Sequence, residues 1–262
     1  MEHTNQQLFA EERKNLILEQ LSENAKVLVS DLSDFFAVSQ ATIRADLRDL
    51  EAAGLLIRTH GGAIPTGKAT YERGTYEKRV SYISEKKRIA KAALGFIEDG
   101  DTIAIDTGTT TFELARLLTE KHDLTVVTND LKIADFIDAN TDAKLVLIGG
   151  IIRKGFHCST GPLAAGALRG MNVDKVFMAA NSLTYERGFA TPNIEQAEIK
   201  KAMLRIGIRS VMLIDSHKIG RIAFYTFADP ADIDVIITDS GIGKKTAETI
   251  VSANEEIELI VV

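Results

Sequence analysis

Seven short apolar runs, at 102–105, 124–127, 144–148, 175–179, 210–214, 235–238 and 257–262, punctuate the chain beyond residue 100. Most are apolar without a break, so each strand they form must be covered on both faces, as in a parallel sheet sandwiched between helices. Segments with helical spacing separate them, at 112–118, 194–206 and 244–253. This alternation is the βαβ rhythm of a doubly wound, mostly parallel α/β domain. A stretch at 76–99 precedes it and reads as one long helix, with Ile89, Ala92, Ala93, Phe96 and Ile97 inward.

Open α/β sheets bind ligands at the carboxyl ends of their strands, near the point where strand order reverses. The first such loop is Asp106-Thr107-Gly108-Thr109-Thr110-Thr111. Gly108 permits close backbone approach, and Thr109, Thr110 and Thr111 add hydroxyls beside the unpaired N–H groups of the following helix. That helix end carries partial positive charge and favours an anion, although the same residues also serve a plain capped turn. Asn129 ends the second run and can both donate to and accept from hydroxyls. Gly149 and Gly150 end the third, leaving bare backbone for a ligand, with Arg153 and Lys154 following. In Asp215-Ser216-His217-Lys218-Ile219-Gly220, Lys218 supplies a cation, or is a solvated surface lysine. An anion loop, an amide, a glycine pair and a lysine at strand ends together suit a phosphorylated sugar.

The amino-terminal part has different periodicity. In Val38–Ala63, VSQATIRADLRDLEAAGLLIRTHGGA, Ile43, Leu47 and Leu50 fall at i, i+4 and i+7, one face of a helix. Ala41, Arg44, Ala45 and Arg48 lie opposite. Two arginines four apart repel by about 0.2–0.5 kcal/mol, a sign that a phosphate or a guanine edge reverses; a pairing of Arg48 with Glu51 is the alternative. Ser39 is placed to cap this helix, and Ser30 or Asp31 to cap the one before it. Glu11–Leu21 forms a further helix with Leu16, Ile17 and Leu21 inward, and 55–59 with His60-Gly61-Gly62 forms a strand and hairpin turn. Three helices and a wing make a winged helix-turn-helix.

That segment resembles the winged-helix signature of the DeoR family of bacterial sugar-catabolism regulators. The family signature carries two adjacent arginines after the isoleucine, and Ala45 stands at the second. The resemblance continues through DTGTT (106–110), TND (128–130), GG (149–150) and DSHKIG (215–220), and so covers nearly the whole chain. It implies an effector domain related in fold to ribose-5-phosphate isomerase that binds phosphorylated sugars. The Gly108–Thr111 backbone and hydroxyls would take the phosphate, and Asp106, Asn129 and Lys218 would face the sugar. Where the family often has Ser-Lys-Phe, this chain has His217-Lys218-Ile219.

Together these features predict a winged helix-turn-helix over 1–62, a linker over 63–75 and a sugar-phosphate-binding α/β domain over 76–262. Ser39, Gln40, Thr42, Arg44 and Arg48 would meet the major groove of double-stranded operator DNA, with Arg58 and His60 at the backbone or minor groove. One small domain with few cations needs paired half-sites, so a homodimer or homotetramer is expected; the family resemblance implies repression, relieved when ligand binds.

Charge constrains the DNA reading: the chain has net charge −6, and residues 1–68 hold seven Lys/Arg against ten Asp/Glu. Binding must rest on a local basic face with a modest salt dependence. The single cysteine, Cys158, excludes an internal disulfide and suits a reducing cytoplasm; it is a redox sensor or inert packing. No signal-peptide pattern opens the chain and no apolar stretch is long enough to span a membrane, so a cytoplasmic protein is expected. A rival reading is a sugar-phosphate isomerase, which needs a positioned base. The loop Ala180-Asn181-Ser182-Leu183 lacks a carboxylate, leaving Asp106, and no metal-ligand spacing or cofactor motif is present. A DNA-binding protein with a vestigial pocket is the third reading.

Overall fold

The computed structural model describes residues 10–24, 26–65, 69, 72, 74–253 and 257–262. The chain divides into two compact units, Met1–Arg73 and Gly74–Val262.

The first unit holds helices α1 (Ala10–Asn24), α2 (Val29–Phe36) and α3 (Gln40–Ala52), with strands β1 (Val27–Leu28), β2 (Leu56–Arg58) and β3 (Gly62–Pro65). The strands form an antiparallel sheet in the order β1-β3-β2. Ile43, Leu47 and Leu50 are buried against Ile17, Leu18, Leu21 and Leu32. Leu16, expected inward, is only half-buried, and Leu18 takes its place. Helix α2 starts at Val29 behind Leu28 and has no side-chain cap; Ser30 instead bonds Asp31, and Val29 N donates to Gly61 O at 2.8 Å. The expected linker start at 63 is too early. Ala63–Pro65 pair with β2, and Ala63 is buried in the core, because the wing needs its second strand to cover that face. Residues 66–68, 70, 71 and 73 of that linker lie outside the described residues.

The second unit opens with helices α4 (Thr75–Val80) and α5 (Ile83–Leu94), then β4 (Thr102–Ile105), α6 (Thr109–Leu117), β5 (Thr125–Thr128), α7 (Leu131–Asn140) and β6 (Lys144–Leu147). A hairpin, β7 (Ile151–Arg153) and β8 (Cys158–Thr160), leads through α8 (Pro162–Ala167) to β9 (Val173–Ala179). After it come β10 (Ser182–Thr184), β11 (Gly188–Thr191), α9 (Ile194–Ile206), β12 (Gly207–Leu213), β13 (Tyr225–Ala228), β14 (Val235–Thr238), α10 (Lys244–Ala253) and β15 (Glu258–Val261). The central sheet is fully parallel, in the order β15-β14-β12-β9-β4-β5-β6.

Continuous apolar strands have the reason expected. Ile103, Ile105, Val126, Phe177, Val211 and Ile237 pack with residues of α5, α6 and α7, whereas Ala104, Val127, Val176, Met178, Met212 and Ile236 pack with α8, α9 and α10. Strand order grows from β4 to β6 in one direction, then returns to β9 and grows the other way. The reversal lies between β4 and β9, and the loops leaving these strands flank the switch point at which open α/β sheets bind ligands. The expected helix over 76–99 is in fact two. Tyr82 adopts a left-handed φ of 52°, and the Lys86 ammonium takes the Lys78 and Ser81 carbonyls that a continuous helix would use itself. No helix among the described residues is long and apolar enough to cross a membrane.

Candidate effector site and nucleic-acid face

Helix α3 is fixed at its start by Ser39, whose Oγ accepts from Thr42 N at 3.1 Å. Gln40, Arg44 and Arg48 are exposed, Thr42 and Ala45 half-buried, and Arg44 Nη2 donates to Gln40 Oε1 at 3.1 Å. The acidic residues of the same helix face elsewhere. Asp46 is buried beneath Arg13, which bonds it from Nε at 2.6 Å and Nη2 at 3.1 Å, and Asp49 lies 2.7 Å from Lys14. Helix α1 thus pairs two of the three carboxylates of α3, Asp46 and Asp49, away from the outer face that carries Arg44 and Arg48. A net acid count over the segment hides this, because it counts charges that cancel in pairs. Glu51 does not pair with Arg48. It accepts from Arg58 Nε at 2.6 Å and Arg58 N at 3.0 Å, so one arginine expected on DNA is braced against α3. His60 is exposed in the turn closed by Thr59 N donating to Gly62 O at 2.9 Å.

In the second unit the threonines expected in the loop after β4 form the first turn of α6, capped by Gly108. Thr109, Thr110 and Thr111 are all buried. A Cβ on Gly108 would lie 2.9 Å from the Ala179 side chain and 3.0 Å from Thr111 Oγ1, so glycine lets β4's exit pass close to β9. Asp106 is wholly buried. Its Oδ2 accepts from Ala179 N at 3.1 Å and from the Lys200 ammonium, which also donates to Ala179 O at 2.8 Å. Asp106 Oδ1, Thr110 Oγ1 and Asn129 Oδ1 are buried without a hydrogen-bond partner among the described residues. Asn129 Nδ2, by contrast, donates to Ser159 O at 2.9 Å. Buried polar groups are nearly always bonded, so three such atoms without a partner at adjacent strand ends stand out.

The remaining expected residues divide. Arg153 stacks on Phe156 at 3.7 Å and donates to Gln196 Oε1 at 2.8 Å. Gly150 serves packing: with φ at 156°, a Cβ there would meet Thr160 O at 2.8 Å and Ala164 Cβ at 2.9 Å, whereas one on Gly149 would meet nothing within 4 Å. Lys218 sits in the short helical turn Ser216–Lys218, 3.1 Å from Asp215 Oδ2. Burial works against the Asp215 charge, yet Lys218, with Lys86 and His217 adding to it, holds this carboxyl below the usual range. Sequence reading missed Lys200. Its signal is a lysine on the buried face of α9, beside Ala197, Ile199 and Met203. Thr107 was also missed; its Oγ1 donates at 2.5 Å to Asp130, which caps α7. Cys158 is buried and its thiol is pushed up to about 11, chiefly by desolvation. It therefore stays protonated, and the packing reading fits it better than the redox one.

A winged helix with an exposed cationic helix face, followed by a parallel α/β unit with polar groups clustered at its strand ends, defines the class of two-domain transcriptional regulators. The chain belongs to the DeoR family: its "DeoR-like helix-turn-helix domain" matches residues 13–66 and its "DeoR C terminal sensor domain" residues 81–240. It is 36% identical to the HTH-type transcriptional regulator GlpR of Haloferax volcanii over 92% of this chain and 94% of that one. With the transcriptional repressor AccR of Agrobacterium fabrum it shares 33% identity over 88% and 90%. The ribose 5-phosphate isomerase A structure of Methanocaldococcus jannaschii aligns at 18% identity over 53% of this chain and 55% of that one, with a TM-score of 0.40. The chain is accordingly a DNA-binding transcriptional regulator with a sensor domain, in a family whose matched relatives are regulators rather than enzymes.

Proposed function

We propose that the protein is a cytoplasmic repressor of a sugar-catabolism operon, released from its operator when a phosphorylated sugar enters the crevice between β4 and β9. The unbonded Asp106 Oδ1, Thr110 Oγ1 and Asn129 Oδ1 carry this reading. The two acceptors suit sugar hydroxyls, which donate, and Thr110 at the first turn of α6 suits a phosphate, which the helix end attracts. Gly108, Thr109, Thr111, Gly149 and Lys218 are assigned to the same ligand, Arg153 to its margin, and Gly150 to the support of the loop. Operator contact is assigned to Ser39, Gln40, Thr42, Arg44, Arg48 and His60, with Arg58 positioned through Glu51. Selectivity from so small a face calls for a homodimer or homotetramer on paired half-sites. The effector needs only to prefer the non-binding arrangement by about 1–3 kcal/mol.

The test is fluorescence anisotropy of DNA from upstream of the protein's own gene, with and without free and phosphorylated sugars. Release by one phosphorylated sugar supports the reading, and binding that no sugar alters removes the effector site. Two variants separate the units. Arg44→Ala should weaken operator binding by about 1–3 kcal/mol and leave effector affinity unchanged; operator affinity equal to wild type would remove Arg44 from the groove. Thr110→Val keeps the side-chain shape and removes the hydroxyl. Loss of a hydrogen bond to a charged group, about 1.5–3 kcal/mol, should weaken effector binding roughly tenfold or more with operator affinity intact. Calorimetric titration showing no change would take Thr110 out of the site.

A further inference from the structure

Helix α4 is the first element of the second unit, directly after the chain leaves the DNA-binding unit. It is six residues long, too short to persist by itself. Among its described side chains it buries no apolar group, and Val80 is 54% exposed. Ring and cation contacts tie its described side chains to segments beside the candidate ligand loops. Arg79 lies over the Phe112 ring at 5.3 Å, and Phe112 follows Thr109–Thr111 on α6. Lys78 lies over Phe156 at 5.5 Å, the ring on which Arg153 also stacks. Just past the helix, Tyr82 stacks on His217 at 3.6 Å, and His217 adjoins Lys218.

A second connection comes from α5. The Lys86 ammonium is buried and donates to the Lys78 and Ser81 carbonyls, so it closes the end of α4. Burial first, then the nearby Lys218 charge, pushes it down to about 8, while Asp215 acts in the opposite sense. The end of α4 and the Asp215–Lys218 pair therefore share an electrostatic environment.

We propose that α4 is the helix through which occupancy of the effector site is transmitted toward the DNA-binding unit, with Tyr82 on His217 as its principal fastening. An anionic ligand that draws Lys218 away from Asp215 shifts the turn Ser216–Lys218, and His217 carries Tyr82 with it. A ligand seated on the first turn of α6 moves Phe112 under Arg79 in the same way. Two-site coupling needs an element whose position both sites bias, and a helix too short to persist by itself is easily biased by what it touches. This inference rests on the proposed effector site.

The test uses the full-length protein with ribose 5-phosphate, fructose 6-phosphate and glucose 6-phosphate as probes. Calorimetric titration of wild type finds the probe that binds; amide exchange over residues 75–82 and anisotropy on DNA from upstream of the gene are then read with and without it. The expected result is a change of exchange over 75–82 on binding. In Tyr82→Ala, probe affinity should stay within about twofold while the loss of DNA affinity caused by the probe shrinks by about fivefold or more, on the scale of ordinary coupling. Tyr82→Phe, which keeps the stacked ring, should behave as wild type, and Arg79→Ala should reproduce the defect more weakly. Exchange unchanged by a bound probe, or undiminished release in Tyr82→Ala, overturns the proposal while leaving the effector site standing. Failure of all three probes to bind wild type overturns the effector reading for these sugars and this coupling with it.

Discussion

Lys200→Met is expected to destabilise the second unit by about 3–5 kcal/mol, the usual cost of leaving one member of a buried ion pair alone. The side chains of Lys200 and Asp106 are 1% and 0% exposed. Methionine retains the length of the stem, so little packing is lost and the effect is electrostatic. The buried Asp106 carboxylate would be left with the Ala179 N–H at 3.1 Å as its donor among the described residues. For a unit of this size the shift in melting midpoint is roughly 6–20 °C, measurable by scanning calorimetry. Lys200→Met with Asp106→Asn removes both charges and should recover more than half of the loss. A single variant within 1 kcal/mol of wild type, on the same scale, would mean that this pair does not organise the exits of β4 and β9.

Asp46→Ala is expected to cost the first unit about 3 kcal/mol, at the lower end of the same range because Arg13 keeps a fringe of solvent, its side chain 9% exposed and that of Asp46 5%. The pair is doubly bonded, which gives it direction as well as charge. A small domain buries a modest share of its surface and has little stability in reserve. Operator binding should therefore fall too, although Asp46 faces α1 rather than the outer face of α3. Asp49→Ala, one turn on and exposed, removes the contact with Lys14 and should leave the unfolding midpoint unchanged, since exposed pairs contribute little. Equal midpoints for Asp46→Ala and wild type in urea denaturation would show that apolar packing alone fixes α3 against α1.

The inward residues of α3 were legible because a helical stripe and its burial have one period: Ile43, Leu47 and Leu50 are all buried. The parallel strands were legible for a related reason, since a run apolar at every position can only be covered twice. Where backbone periodicity competes with a side-chain interaction, the reading slipped. The helix expected over 76–99 breaks at Tyr82, where Lys86 takes the carbonyls of Lys78 in α4 and of Ser81 just past it, and nothing in the local pattern of apolar residues records that. Similarly, the three threonines were placed in a loop, when Gly108 is the cap and they begin α6.

By itself, then, the sequence determined the two kinds of fold, the face of α3 that turns to its core, and which polar residues stand at the strand ends. These follow from local periodicity and from the chemistry of a few residues close together in the chain. Only the tertiary structure decided the charge pairing. Asp46 meets Arg13 across 33 positions and Asp106 meets Lys200 across 94, and it is these pairings that clear the outer face of α3 of negative charge and leave Asp106 Oδ1 without a partner. Such contacts depend on which elements pack together, a property of the whole chain's burial of apolar surface, and no window of neighbouring residues contains it.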